Sequence, residues 1–216
     1  MRGSRWLYRM CMTTLMVALA GCASRNSVLG EAGELKPESG VGYVAATLVY
    51  RIDSADPSIE LVGFPSIAAA FHAPGNAGKP AFSINTFTTM NRMGLWTEPR
   101  AALEEPRGRR VLALVQVPAG RYQLGRIDST YTLYLRQVAL NMTDPPVIEV
   151  RAGQVTYAGS IQLRVRTGKD RFGHAVPVSA TLHLVDDAAG DIAAMKKVDV
   201  RLAPLAVVDG LEMRDR

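Results

Sequence analysis

Two stretches of strict alternation restrict what this chain can fold into. In QVTYAGSIQLRVR, Val155, Tyr157, Gly159, Ile161, Leu163 and Val165 alternate with Gln154, Thr156, Ala158, Ser160, Gln162 and Arg164. In HAVPVSATLHLV, Val176, Val178, Ala180, Leu182 and Leu184 repeat the pattern. Successive side chains of a strand point to opposite faces, so a period of two predicts strands with one dry face and one wet face, as antiparallel sheets have. RTGKDRFG between them suits a hairpin connection.

Other segments agree with a β-rich body. VGYVAATLVYRI, from Val41, is rich in β-branched and aromatic residues, and IELVGF, AFSINTF, YTLYLRQVAL and PVIEV read as further strands. HAPGNAGKP marks a turn or loop between two of them. VLALVQV, residues 111–117, is apolar throughout, and predicts a strand buried on both faces. One helix is expected: Asp186 or Asp187 caps it, Ile192 and Met195 face inward, and Lys196 and Lys197 suit its negative end. The tail VDVRLAPLAVV returns to strand character, with Pro204 at an edge or bulge. About nine short strands with one short helix near the C-terminus predict a mainly β chain, an antiparallel β-sandwich.

The N-terminus has a different logic. Arg2, Arg5 and Arg9 precede an apolar run from Cys11 to Ala20, broken only by Thr13 and Thr14. A basic start, a short apolar stretch and a small-residue junction form a secretory signal. The run is about half of the roughly 20 residues a membrane-spanning helix needs. Leu19-Ala20-Gly21-Cys22 then resembles the lipobox of bacterial lipoproteins. That resemblance implies cleavage before Cys22, diacylglycerol on its thiol and an acylated new amino terminus. Ala23 and Ser24 follow where Asp would favour the inner membrane, so it also implies the outer membrane, facing the periplasm. Two or three acyl chains, at about 0.8 kcal/mol per buried methylene, hold a protein on a bilayer for long times.

The expected organisation is therefore a signal over 1–21, a lipidated Cys and flexible tether over 22–40, and a sandwich domain over 41–216. Taking 21 residues from 216 leaves 195, long enough for a sizeable core. The signal carries three arginines and no acid, so the formal charge falls from +5 to +2 and nucleic acid is not an expected partner. Cys11 leaves with the signal and Cys22 carries lipid, so no disulfide is expected. The tether, ASRNSVLGEAGELKPESG, is 18 residues that would hold the domain ~20–25 Å from the bilayer at random-coil dimensions.

Val117 to Leu124, VPAGRYQL, resembles the P-x-G-x-Y-x-L turn-to-strand element of transthyretin-like and immunoglobulin-like modules. The resemblance extends over residues 111–165 and includes the strand opening at Val150 to Tyr157, similar to uncharacterised bacterial envelope lipoproteins. It implies a fold, with Tyr122 and Leu124 pointing into the core, and no catalytic residue.

Chemistry is sparse. HAPGNAGKP has Gly75 and Gly78 too close for a phosphate loop, and Pro80 where a Ser or Thr belongs. His72, His174 and His183 lack metal-ligand spacing, and no metal or other cofactor is expected. Asp53, Asp56 and Glu60, and Asp186, Asp187 and Asp191, read as turn and capping residues rather than calcium ligands. Ser160 lacks a nucleophile elbow. Residues 85–110 are long for a connection, and Trp96, Met93 and Arg92 are candidates for contact with a partner. A plug over one end of the sandwich is the simpler reading of Trp96. The leading expectation is a non-catalytic binding or assembly module of the cell envelope, anchored by lipid and joined to another envelope protein. A loop-borne envelope hydrolase and a small-ligand carrier are the alternatives.

Overall fold

The computed structural model describes residues 29, 35, 40–54, 66–76, 78–86, 102–105, 107–131 and 136–211. Within them the chain forms β1 (Val41–Asp53), β2 (Ser66–His72), β3 (Phe82–Asn85), β4 (Ala102–Glu105), β5 (Gly108–Pro118) and β6 (Gly120–Tyr131). These are followed by β7 (Arg136–Leu140), β8 (Val147–Val150), β9 (Val155–Lys169), β10 (Ala175–Val185), α1 (Ala188–Val198) and β11 (Val207–Asp209). The strands make two sheets. One has the order β10-β9-β1-β5-β4, with β11 also on β9; the other runs β3-β2-β6-β7, with β8 also on β6. The predicted strand at IELVGF lies outside the described residues.

The mainly β class and, among the described residues, the one α-helix near the C-terminus are as expected, but the sheets are not all antiparallel. β1 pairs β9 in parallel, and so does β11, making the first sheet mixed. β1 is central, with neighbours distant in sequence, so no hairpin dictates its direction. Its residues Gly42–Val49 are buried on both faces, which is the pattern of parallel strands covered on both sides.

Inward side chains of both sheets form one apolar core. Val44, Ala46 and Leu48 of β1 meet Ile67, Ala69 and Phe71 of β2, Leu124 and Ile127 of β6, and Ile161, Leu163 and Val165 of β9. Each such aliphatic side chain contributes about 1.5–3 kcal/mol on burial. Phe71 stacks on Phe82 at 4.6 Å between centroids, and Tyr122 meets Phe82 edge-on at 5.1 Å. Tyr122 and Leu124 both face this core, as expected. VLALV of β5 is buried on both faces, also as expected.

β9 departs from simple alternation. Ala45 pairs with Tyr157 but Thr47 pairs with Ser160, so β9 carries one extra residue there. Gly159, at φ +101°, occupies this bulge, and a Cβ on it would lie 2.6 Å from Leu211 Cδ1 and 2.8 Å from Leu184 Cδ1. The bulge exchanges the faces. Val155 packs outside the sheet while Ile161, Leu163 and Val165 pack inside, although all are odd-numbered. Ala158 and Ser160, expected on a wet face, are buried. A second bulge between Pro177 and Ser179 in β10 turns Val178 outward, against the expected phase.

The outer face of the mixed sheet carries a second core. Tyr43, Ala45, Leu112, Leu114 and Val155 are covered by Met195 of α1 and Leu202 of a 3-10 turn, Val200–Leu202, where a strand was expected. Met195 is fully buried and Ile192 packs at its margin, as predicted. Leu29 is 1% exposed in this same cluster and Leu35 packs against it. Both fall in the stretch read as a free tether, so those two residues are docked on the domain. The sequence hid this because two isolated leucines among polar residues have no period.

Candidate functional site

The lipidation residue Cys22 and the lipobox residues Leu19, Ala20 and Gly21 lie outside the described residues, as do Trp96, Met93 and Arg92. Among the described residues, the densest polar constellation sits where α1 meets the outer face of the mixed sheet. β1 presents Arg51 there, β4 Glu105, β5 Arg110, β9 Tyr157 and α1 Asp191. Antiparallel pairing sets Glu105 opposite Gly108 and Arg51 opposite the same glycine, which brings β4 and β1 together across the hairpin. A Cβ at Gly108 would lie 2.0 Å from the Tyr50 carbonyl oxygen, so only glycine allows this approach. With glycine required there, the left-handed turn position falls to Arg107, at φ 62°.

The contacts form a continuous chain. Arg51 reaches Glu105 Oε2 through Nη2 at 2.9 Å and Nε at 3.2 Å. Arg110 Nε donates to Glu105 Oε1 at 2.6 Å, and its Nη1 to Asp191 Oδ1 at 2.8 Å. The Tyr157 hydroxyl donates to Asp191 Oδ2 at 2.7 Å and accepts the Asp187 backbone N–H at 3.3 Å. Asp191 is wholly buried. Charged hydrogen bonds of this kind are short and strong, and a buried carboxylate survives only with such partners.

Titration follows from those neighbours. Burial pushes the Asp191 carboxyl above its ordinary value, opposed by the Tyr157 hydroxyl bond and the Arg110 charge. Burial also pushes Glu105 up, but the bonds and charges of Arg51 and Arg110 outweigh it and hold Glu105 below its ordinary value. Burial, then the Asp191 contact, drives the Tyr157 hydroxyl far upward, so it remains a donor. Asp191 was expected to serve a turn or cap; it is instead a buried ion-pair partner. The helix spacing DDAAGD gave a hint, since Asp191 lies one turn after Asp187 and on the side of Met195.

Two clefts open on the surface. The first, about 780 Å³, is lined by Arg51, Asp53, Glu105, Arg107, Arg166 and Thr167 among others, so it adjoins the ionic chain. Arg107 there donates to the Ser54 carbonyl. The second, about 740 Å³, lies between the turn before β8 and the end of β11, with Met142, Val147, Gln154, Leu184, Val208 and Leu211 in its wall. Gln154 Oε1 is buried without a hydrogen-bond partner among the described residues.

The histidines are dispersed. His174 faces Asp170 at 3.4 Å on the exposed β9–β10 turn, and His183 meets Thr181 at 3.1 Å. His72 lies under Gly125 at the end of β2. No group of His, Cys, Asp or Glu suited to a metal occurs among the described residues. Ser160 is 1% exposed, out of reach of a substrate. No helix of the described residues is long and apolar enough to cross a membrane.

No family model matches this chain, and no curated protein matches it. Among solved structures, a leucine-rich repeat protein from Bacteroides thetaiotaomicron VPI-5482 is similar over 59% of this chain, at 10% identity and a TM-score of 0.31. The chain spans 14% of that protein's length. A likeness this slight carries no argument about fold or function.

Proposed function

We propose that this chain is a lipoprotein of the periplasmic face of the outer membrane, and that its β body is a non-catalytic binding or assembly module of the cell envelope. The junction Leu19-Ala20-Gly21-Cys22 carries this reading. It is supported by how the body uses its reactive groups: Arg51, Glu105, Arg110, Asp191 and Tyr157 are matched to one another and hold α1 on the sheet. For the finer class of the sandwich, immunoglobulin-like or transthyretin-like, the support is Tyr122. Its hydroxyl donates to the Pro118 carbonyl at 2.8 Å, four residues upstream, as in a tyrosine corner.

The experiment is membrane fractionation of the wild type and Cys22→Ser, with affinity capture from detergent-solubilised membranes. The variant is expected as a soluble periplasmic species or an uncleaved precursor, and wild type is expected to bring down a specific envelope protein that Trp96→Ala loses. A Cys22→Ser protein that remains mature and membrane-bound refutes the anchor. Capture of no specific companion refutes the assembly role. A second reading, a small-ligand carrier, is favoured by the second cleft and its unpartnered Gln154 oxygen; native mass spectrometry finding a co-purifying small molecule would support it.

A further inference from the structure

The outer-face core holds three parts of the chain together: Leu29 from the N-terminal stretch, Met195 from α1 and Leu202 from the 3-10 turn. Between Met195 and Leu202 runs Lys196-Lys197-Val198-Asp199-Val200-Arg201, the corner where the helix ends. Val200 is 77% exposed, more than any other large apolar residue described, and Val198 is exposed as well. Ala203 and Pro204 add exposed apolar surface just beyond.

The charges of this corner are unbalanced. Asp199 accepts from Arg201 Nε at 2.8 Å and from the Arg201 backbone N–H at 3.1 Å, so that acid and that base neutralise each other. Lys196 and Lys197 remain, with no ion pair among the described residues. Aliphatic side chains at a tip, flanked by lysines, have the chemistry of a segment that enters the headgroup region of a bilayer. Basic residues are drawn to anionic headgroups, and the attraction fades within a Debye length. The other highly exposed apolar residue, Phe172, is different: the Arg171 guanidinium lies over its ring at 4.6 Å.

Reach ties the two ends. Only seven peptide steps separate Cys22 from Leu29, at most about 25 Å fully extended. Since Leu29 is buried beside Met195 and Leu202, an acyl anchor on Cys22 cannot stray far from this corner. We infer that the Lys196–Arg201 corner, with Pro204, is a membrane-resting surface that lies on a lipid bilayer bearing anionic headgroups. The inference builds on the lipid-anchor reading and adds an orientation: the end of the mixed sheet where β9 starts, with the C-terminal corner of α1, turns toward the bilayer, and the β9–β10 turn away from it. β9 has 15 residues, so about 50 Å separates its start beneath α1 from its far end.

The test uses the full chain in its lipidated form, with Val200→Cys or Phe172→Cys as the sole free thiol, labelled with a polarity-sensitive fluorophore. Both positions are exposed, so neither change disturbs packing. The proteins are reconstituted in phosphatidylethanolamine–phosphatidylglycerol vesicles whose lipids are brominated near the headgroup. The label at 200 is expected to shift to the blue and lose intensity, while the label at 172 does neither. Replacing phosphatidylglycerol by phosphatidylcholine, or Lys196 and Lys197 by Gln, is expected to weaken the quenching at 200. Equal quenching at both positions, or none at 200 in protein that floats with the vesicles, overturns the orientation alone. If neither protein floats and mass spectrometry finds Cys22 bare, the anchor reading fails and the orientation falls with it.

Discussion

The two cores of this molecule are built on opposite principles. Between the sheets, Phe71, Leu124, Ile127, Ile161 and their neighbours are apolar and packed from both sides. Beneath α1, apolar residues share the space with a chain of charges running from Arg51 to Asp191. An apolar core rewards volume and tolerates rearrangement, because dispersion and hydrophobic burial have no direction. A buried ion pair gains little net energy over well-packed hydrocarbon, but it is costly to break. The contrast teaches that the first core makes the chain compact, while the second determines where the helix sits.

The strongest way to break that contrast is to remove the central cation. Arg110→Met leaves Asp191 buried without its counterion, and is expected to cost about 3–5 kcal/mol of stability in denaturant titration. Arg110→Met with Asp191→Asn is expected to recover much of the loss, since both charges then leave together. If the double variant is no more stable than the single, the charges are not what holds α1.

The two carboxylates bound by Arg110 make opposing contributions to acid stability. Glu105 titrates below its ordinary value of 4.5, so the stability it confers is complete above that pH and is lost as pH falls through its folded value. Asp191 titrates above its ordinary 3.8, so its ionised form weakens the fold, and stability is regained as pH falls through its folded value. Asp191→Asn removes only the second contribution. Its acid limb is expected to fall more steeply than that of the wild type.

How far this was legible follows from what periodicity records. The β class, the doubly buried β5 and the docking of Met195 follow from local patterns, and the inward Tyr122 and Leu124 follow from the resemblance of VPAGRYQL to a turn-to-strand element. The parallel pairing of β1 with β9 was not legible, because strand direction is a long-range property with no local signature. The bulge at Gly159 was missed because a single extra residue swaps faces without altering composition. Asp191 reads as a turn or capping acid in the sequence because its partners stand 34 and 81 residues away. The candidate contacts Trp96, Met93 and Arg92, and the anchor at Cys22, lie outside the described residues.

A smaller effect separates the role of hydroxyl groups in the charged core. Tyr157→Phe keeps the ring but deprives Asp191 of one donor and the Asp187 N–H of its acceptor. The expected loss is about 1–2 kcal/mol, the usual cost of leaving buried polar groups unpaired. Hydrogen exchange should locate it, with faster exchange across α1 and little change in β2 or β6. Uniform acceleration over both sheets would mean that the helix and the sandwich unfold as one unit.

The smallest effect sharpens the comparison from the other side. Tyr50 of β1 packs against the apolar core, and its hydroxyl is buried with no hydrogen-bond partner among the described residues. Burial drives its titration upward, with no charged neighbour contributing. Such a hydroxyl has given up water and received nothing, so Tyr50→Phe is expected to leave stability unchanged or raise it by about 1 kcal/mol. Tyr157 and Tyr50 thus make the same atom change with opposite expected sign, one where polar groups are matched and one where they are not. A loss for Tyr50→Phe as large as that for Tyr157→Phe would mean that the inner core also depends on a directional bond, and the division between the two cores would no longer stand.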